Sequence, residues 1–302
     1  MASAAIILEL RGRLGNQLFE FAAAYALCRR LGCELLFSSR RMWGAPLELH
    51  RLIGGLYREA SRRQLLSVGR FHYGSRGRGV VDAALRMTTR ARSHLTGHTY
   101  ILDSTRIVDG QSRHRADSRV LEARPPCVLR GYFENERYFA DRASEVNRAI
   151  RLPPVAGVLP EDLARPIVGV SFRRGDFNSM AWALPLDYYE AALSALCERV
   201  RPGTLMVFAD DRGFGQLAEP WLGRFGPVVN SARFSEDAVA GLAMLAACDH
   251  SVIANSTFSW WGAWLAERRA PTAADRIVLA PAGWRRGRPA DVIPDRWTAV
   301  SW

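Results

Sequence analysis

Residues 5–37 read AIILELRGRLGNQLFEFAAAYALCRRLGCELLF, and their patterning decides the fold class. Ala5–Leu10 is a short apolar run and reads as a first strand. The loop Arg11–Gln17 carries Gly12 and Gly15. From Leu18 to Leu31 the apolar residues recur at helical spacing, and the run stops at Gly32, a residue suited to a helix C-cap. Glu34–Phe37 is the next strand. Strand, glycine loop, helix and strand open a βαβ unit, which builds a parallel sheet.

Working outward, Arg40 to Arg124 carries little pattern beyond the short apolar run Tyr100–Leu102. Val128–Phe133 returns to strand character and Tyr138–Leu152 to helical character. Pro153, Pro154, Gly157, Pro160 and Pro166 then crowd into one stretch, which predicts a boundary between domains at 1–155 and 156–302. In the second half, strands at Ile167–Phe172, Leu205–Ala209, Ser251–Ala254 and Arg276–Ala280 (the last) alternate with helices. Those helices are expected from an Asp187 cap to about Val200, over Val239–Ala247 and over Ser259–Arg268. Alternation of this kind means an α/β fold with parallel sheets, and no fixed-period repeat interrupts it.

The chain has 302 residues, 48% apolar and 24% charged. That excludes a disordered, collagen-like or disulfide-stapled protein. No apolar run approaches the roughly 18 residues of a membrane span, and the first ten residues lack the basic start and long apolar middle of a signal peptide. A cytoplasmic location is the expectation. All 41 Lys+Arg residues are arginine, and the formal charge is +11. Such a balance suits an anionic ligand, a nucleic acid or an acidic membrane surface, and equally a set of solvated faces. Cys28, Cys33, Cys127, Cys197 and Cys248 are scattered, so neither a disulfide nor a zinc site is expected.

In open α/β sheets, ligands bind beyond the carboxyl ends of the strands. Arg173 and Arg174 follow Ile167–Phe172. Their side chains alternate, and Arg173 shares a face with Ser171, which makes it the candidate phosphate clamp; the alternative is a pair of structural arginines bound to Asp176. Asn255–Ser256–Thr257–Phe258–Ser259 lies between a strand and a helix, where N–H groups and hydroxyls form a phosphate cradle or simply an N-cap. Gly12, Gly15 and Asn16 sit at another strand-to-helix turn, with Leu18 where a dinucleotide fingerprint needs glycine. Asp210 and Asp211 read as a turn and a helix cap. The P-loop, zinc-protease and hydrolase motifs are missing. His94 and His98, four apart, fall in the poorly patterned stretch, and Trp260, Trp261 and Trp264 read as core.

Taken in order, GRLGNQ at 12–17, GYFENERYF at 131–139, RRGD at 173–176, FADD at 208–211, NSTFSWWGAWL at 255–265, Ala280-Pro281 through Trp284 and DVIP at 291–294 resemble the bacterial α-1,2-fucosyltransferases of glycosyltransferase family 11. The resemblance implies a GT-B-like fold, two Rossmann-like parallel-sheet domains facing a cleft. The first is the acceptor side and the second binds the nucleotide-sugar. It implies inverting, metal-independent transfer of L-fucose from GDP-β-L-fucose to the 2-hydroxyl of a galactoside, with no cofactor. Arg173 then holds the β-phosphate, with Arg174 beside it. Asn255, Ser256, Thr257 and Phe258 line the diphosphate, and Gly15 and Asn16 approach the donor from the first domain. Asp176 and Glu20 are the candidate bases. The partners implied are a galactose-containing glycan or lipid-linked oligosaccharide, with peripheral contact at the inner membrane and no nucleic acid.

Two positions depart from the family pattern. Its usual histidine two places before the first arginine is Ser171 here, and its usual aspartate on the helix before NSTFSWW is Gly241. In related fucosyltransferases those residues contact the guanine. Either neighbours such as Glu236 or Asp237 rebuild the base contact, or the donor carries another nucleotide. A different nucleotide-deoxysugar, an inactive sugar-nucleotide-binding module and an arginine-rich nucleic-acid binder are the competing readings. The last lacks any recognisable nucleic-acid module.

Overall fold

The computed structural model describes residues 5–40, 42, 44–61, 64–65, 99–102, 116–154, 159–268, 276–284 and 291–302. His94, His98 and most of the poorly patterned stretch lie outside them, as do Gly157 and the residues flanking it.

Four strands, β1 (Ala5–Glu9), β2 (Glu34–Ser38), β3 (Thr99–Leu102) and β4 (Cys127–Arg130), form one sheet in the order β2-β1-β4-β3. All its pairings are parallel, with Leu8 opposite Phe37 on one side and Leu129 on the other. Helix α1 (Leu14–Leu31) covers this sheet and ends where Gly32, at φ 63°, takes the left-handed cap. Arg29 and Arg30 in its last turn suit the negative end of the helix dipole. Short helices α2 (Leu49–Ile53), α3 (Ser118–Leu121) and α4 (Ala143–Ala149) also lie among the described residues of this half. The helix expected over Tyr138–Leu152 is broken, because Phe139 at φ −138° and ψ 9° separates two short turns ahead of α4.

The second sheet has the order β10-β9-β8-β5-β6-β7, again all parallel. Its strands are β5 (Ile167–Phe172), β6 (Thr204–Ala209), β7 (Val228–Asn230), β8 (His250–Val252), β9 (Val278–Pro281) and β10 (Thr298–Val300). Around it lie α5 (Gly175–Ser179), α6 (Leu186–Cys197), α7 (Arg212–Leu222), α8 (Ala238–Ala247) and α9 (Thr257–Glu267). Helix α6 starts after Pro185, so Asp187 sits in its first turn instead of capping it. The strand ending near Ala280 is not the last, since β10 adds an edge beyond β9.

The two halves share one core. Helix α1 is buried on nearly every face, as a helix must be when it packs on two sides. One side meets the first sheet; the other meets α9, where the Phe19 ring lies 4.5 Å from Trp260 and 5.2 Å from Trp261, centroid to centroid. Trp260, Trp261 and Trp264 are fully buried. Cys28 and Cys248 are buried, Cys197 is half-buried, and all five cysteines are free thiols. No helix among the described residues is long and apolar enough to cross a membrane.

Candidate active site

The order of the second sheet locates a crevice. From β5 the chain winds outward through β6 and β7, then returns to place β8 on the other side of β5 and winds outward through β9 and β10. The direction of winding therefore reverses between β5 and β8, and loops leaving the carboxyl ends of two such strands diverge and leave room for a ligand. Those two loops carry Arg173–Asp176 and Asn255–Thr257. In the first sheet β1 lies between β2 and β4, and the loop after β1 carries Gly12–Asn16.

After β5, whose last carbonyls are braced by the Tyr189 hydroxyl donating to Ser171 O at 3.1 Å, the two arginines diverge. The Arg173 guanidinium is pinned between two carboxylates, Nη2 to Asp176 Oδ1 at 2.7 Å and Nη1 to Asp210 Oδ2 at 2.7 Å. It lies 5.1 Å from the Phe177 ring centre. The Arg174 guanidinium instead stacks over Phe214 of α7 at 4.3 Å. Asp210 also accepts the N–H groups of Arg174 and Gly175, and Asp211 caps α7 by accepting from Phe214 N at 3.0 Å. Turn and cap is therefore what FADD does locally. Its tie to Arg173 was invisible in the sequence until β5 and β6 paired side by side.

The loop after β8 is equally constrained. Asn255 is buried, and its Nδ2 donates to the carbonyls of Trp182 and Trp284 at 2.9 and 2.8 Å. It thus holds the loop in place. Its Oδ1 is buried without a hydrogen-bond partner among the described residues. Ser256 occupies the N-cap of α9 without its side chain capping the helix, so the plain capping role does not account for it. The Thr257 hydroxyl donates to Asn16 Oδ1 at 2.8 Å. Phe177 and Trp182 pack edge to face at 5.6 Å, and Trp182 N donates to Phe177 O at 2.9 Å. That aromatic pair links the Arg173 cluster to the Asn255 loop.

The glycine loop of the first half meets the same place. Gly12 is at φ 67°, a conformation that side chains rarely adopt. A Cβ on Gly15 would lie 2.5 Å from Phe258 N and 2.6 Å from the Thr257 carbonyl carbon. Gly15 is therefore bare because the start of α1 rests on the first peptide of α9. Gln17 is fully buried, donates to the carbonyls of Gly12 and Pro46, and accepts from Glu48 N and Leu49 N. Glu20 is fully buried as well and accepts from Arg11 N at 2.9 Å, which holds the loop from behind.

Ser171 and Gly241 lie on the flank of this site. Ser171 Oγ is buried and has no hydrogen-bond partner among the described residues. A Cβ on Gly241 would meet the Phe258 ring at 3.6 Å, an ordinary contact. Neither neighbour named for a rebuilt base contact is idle. Glu236 is paired with Arg212, and Asp237 binds Arg51 through both oxygens at 2.6 and 3.0 Å while capping α8. The hydrogen bonds from Arg51 hold the Asp237 carboxyl below its ordinary range. Among the described residues no group of three or more His, Cys, Asp and Glu side chains could hold a metal ion.

Residues 121–284 match the sequence pattern described as Glycosyl transferase family 11. The O-antigen biosynthesis glycosyltransferase WbnK of Escherichia coli is 32% identical over 132 residues, 41% of this chain and 41% of the relative. The Alpha-1,2-colitosyltransferase of Escherichia coli is 27% identical over 186 residues, 56% of this chain and 61% of the relative. The chain thus spans from about two fifths to about three fifths of the length of these curated relatives. Among solved structures, a variant of Arabidopsis thaliana FUT1 in complex with GDP is 14% identical with a TM-score of 0.53, covering 97% of this chain and 73% of that one. POFUT1 in complex with GDP is 13% identical with a TM-score of 0.50, covering 95% and 97%. At such identities the likeness is one of fold: the paired α/β, GT-B-like architecture.

Proposed function

The chain belongs to glycosyl transferase family 11, and on that premise we propose that it is an inverting galactoside α-1,2-fucosyltransferase using GDP-β-L-fucose. The observation that carries this reading is the Arg173 guanidinium, fixed by Asp210 at the carboxyl end of β5, next to β8 whose following loop leads into α9, where the sheet changes direction. In the transfer, the bond from fucose C1 to the diphosphate oxygen breaks as the galactoside 2-hydroxyl oxygen bonds C1 from the opposite face. The electron pair leaves with GDP, so negative charge grows on the diphosphate. A guanidinium held in place and N–H donors at a helix start stabilise that charge without reorganising. Arg173 is the clamp, Ser256 and Thr257 line the diphosphate, and Gly15 and Asn16 close the site from the first half. The first half takes the acceptor and the second takes the donor.

The hydroxyl proton needs a base. Glu20 is fully buried behind the glycine loop, whereas the Asp176 side chain is 46% exposed. Asp176 is therefore the better placed of the two for an acceptor arriving from solvent. The acceptor is a surface-polysaccharide or lipid-linked oligosaccharide intermediate, in keeping with the O-antigen role named for WbnK.

The test is donor turnover, followed as GDP release with a galactoside acceptor. Arg173→Ala should lower it by about 100-fold or more, the scale of losing one charge-stabilising donor, with the folded state retained. Unchanged turnover would overturn the assignment of the clamp. A second reading, transfer of a different deoxysugar from its nucleotide, is supported by Ser171 and Gly241 at the flank of the site and by the name of the colitosyltransferase relative. Faster turnover of such a donor than of GDP-fucose would favour it.

A further inference from the structure

The two carboxylates on Arg173 are not equivalent. Asp210 is 19% exposed and locked in place. One of its oxygens meets Arg173 Nη1, and the other accepts Arg174 N at 2.7 Å and Gly175 N at 3.2 Å. A Cβ on Gly175 would lie 2.8 Å from Asp210 Oδ2, so the bare glycine makes room for this carboxylate. Asp176 is 46% exposed, in the first turn of the five-residue α5. Its carboxylate meets Arg173 Nη2 and makes no other hydrogen bond or ion pair among the described residues.

We infer that Asp210 is the positioning residue that aims Arg173, and that Asp176 is a resident anion on the edge of the guanidinium that the donor's diphosphate takes over. This rests on the reading of Arg173 as the diphosphate clamp. A guanidinium fork accepts carboxylate and phosphate oxygens in the same geometry. A diphosphate carries more charge than a carboxylate, and an exposed single-contact ion pair is worth little. Displacing Asp176 is therefore easy, while Asp210, bound at three points, stays. The displaced Asp176 carboxylate is released beside the reacting centre only once the donor is bound. Donor binding then precedes productive acceptor binding, and the free protein holds its proposed base in check.

Calorimetric titration with inorganic pyrophosphate and with GDP tests the exchange. Asp176→Asn should bind both anions about two- to fivefold more tightly, the range an exposed ion pair is worth. In turnover it should lower the donor KM and lower kcat together, a split that a merely structural residue would not produce. Asp210→Ala should bind about tenfold more weakly, as expected on losing a hydrogen bond to a charged group. Asp210→Asn, which keeps an oxygen for the two loop N–H groups, serves if the alanine variant does not fold. Unchanged or weaker binding by Asp176→Asn, with Arg173→Ala weakened, overturns the exchange and leaves the clamp standing. Unchanged binding by Arg173→Ala, or a wild-type protein that binds neither anion, overturns the clamp and the exchange with it.

Discussion

One missing methyl group at position 15 sets how closely the two halves of the molecule meet. With a Cβ there, backbone atoms of Thr257 and Phe258 would be 2.5–2.6 Å away, and backbone cannot rotate aside as a long side chain can. Gly15→Ala must part α1 from α9 or strain both. We expect it to cost about 1–3 kcal/mol, the usual range for overpacking, measured as a fall in urea midpoint at constant slope. Donor binding should fall as well, since Asn16 and Thr257 would lose register. The family resemblance has Gly15 approach the donor, and in the structure Gly15 meets the backbone of α9. Sequence could not supply that partner, because the contact joins residues more than two hundred apart. Arg173 was legible from its place at a strand end. Asp210 was missed as its partner for the same reason as α9: what joins them is the lateral pairing of β5 and β6.

At the scale of elements, legibility followed local consistency. Strand β5 has the bounds expected from its apolar run; α1 ends at Leu31 as expected, where apolar spacing and the terminal Gly32 agree, but starts earlier at Leu14, and α9, expected over Ser259–Arg268, spans Thr257–Glu267. The sequence marks the cap at Asp211 but no range for the helix that follows it, α7, because Gly213, Gly215 and Pro220 all argue against a helix. The Asp211 cap and packing on β6 and β7 outweigh those propensities. Segment 46–49 shows no pattern, yet Gln17 ties it to the glycine loop with four hydrogen bonds. Gln17→Leu fills the same space and strands two N–H groups and two carbonyls in a buried setting. We expect it to cost at least about 2 kcal/mol and to speed amide exchange at Glu48 and Leu49 selectively.

Over the whole molecule, Glu136 is where the first half, α9 and the C-terminal segment are tied together. It accepts from Trp264 Nε1 at 2.7 Å, pairs with Arg268 at 3.2 Å and binds Arg296 through both oxygens at 2.6 and 3.1 Å. Burial alone would push its carboxyl up, but Arg296, Trp264 and Arg268 more than reverse that and hold it below the ordinary value. A depressed carboxyl stabilises the fold above the unfolded-state pKa and loses that contribution as pH falls through the folded one. The stability difference between wild type and Glu136→Gln should therefore be full near neutrality and shrink below about pH 4.5, as read from urea unfolding across pH. A difference that does not change with pH would rule out the ion network as its source.

If the donor is a GDP-sugar held by Arg173 and the start of α9, calorimetric binding of GDP, UDP, dTDP, ADP and CDP to the purified protein and to its Arg173→Ala variant will show it. GDP should bind well above the other four, and this binding should be largely lost in the variant. Tighter binding of another nucleotide would contradict the proposed donor while sparing the clamp, and GDP binding untouched by Arg173→Ala would contradict the site itself.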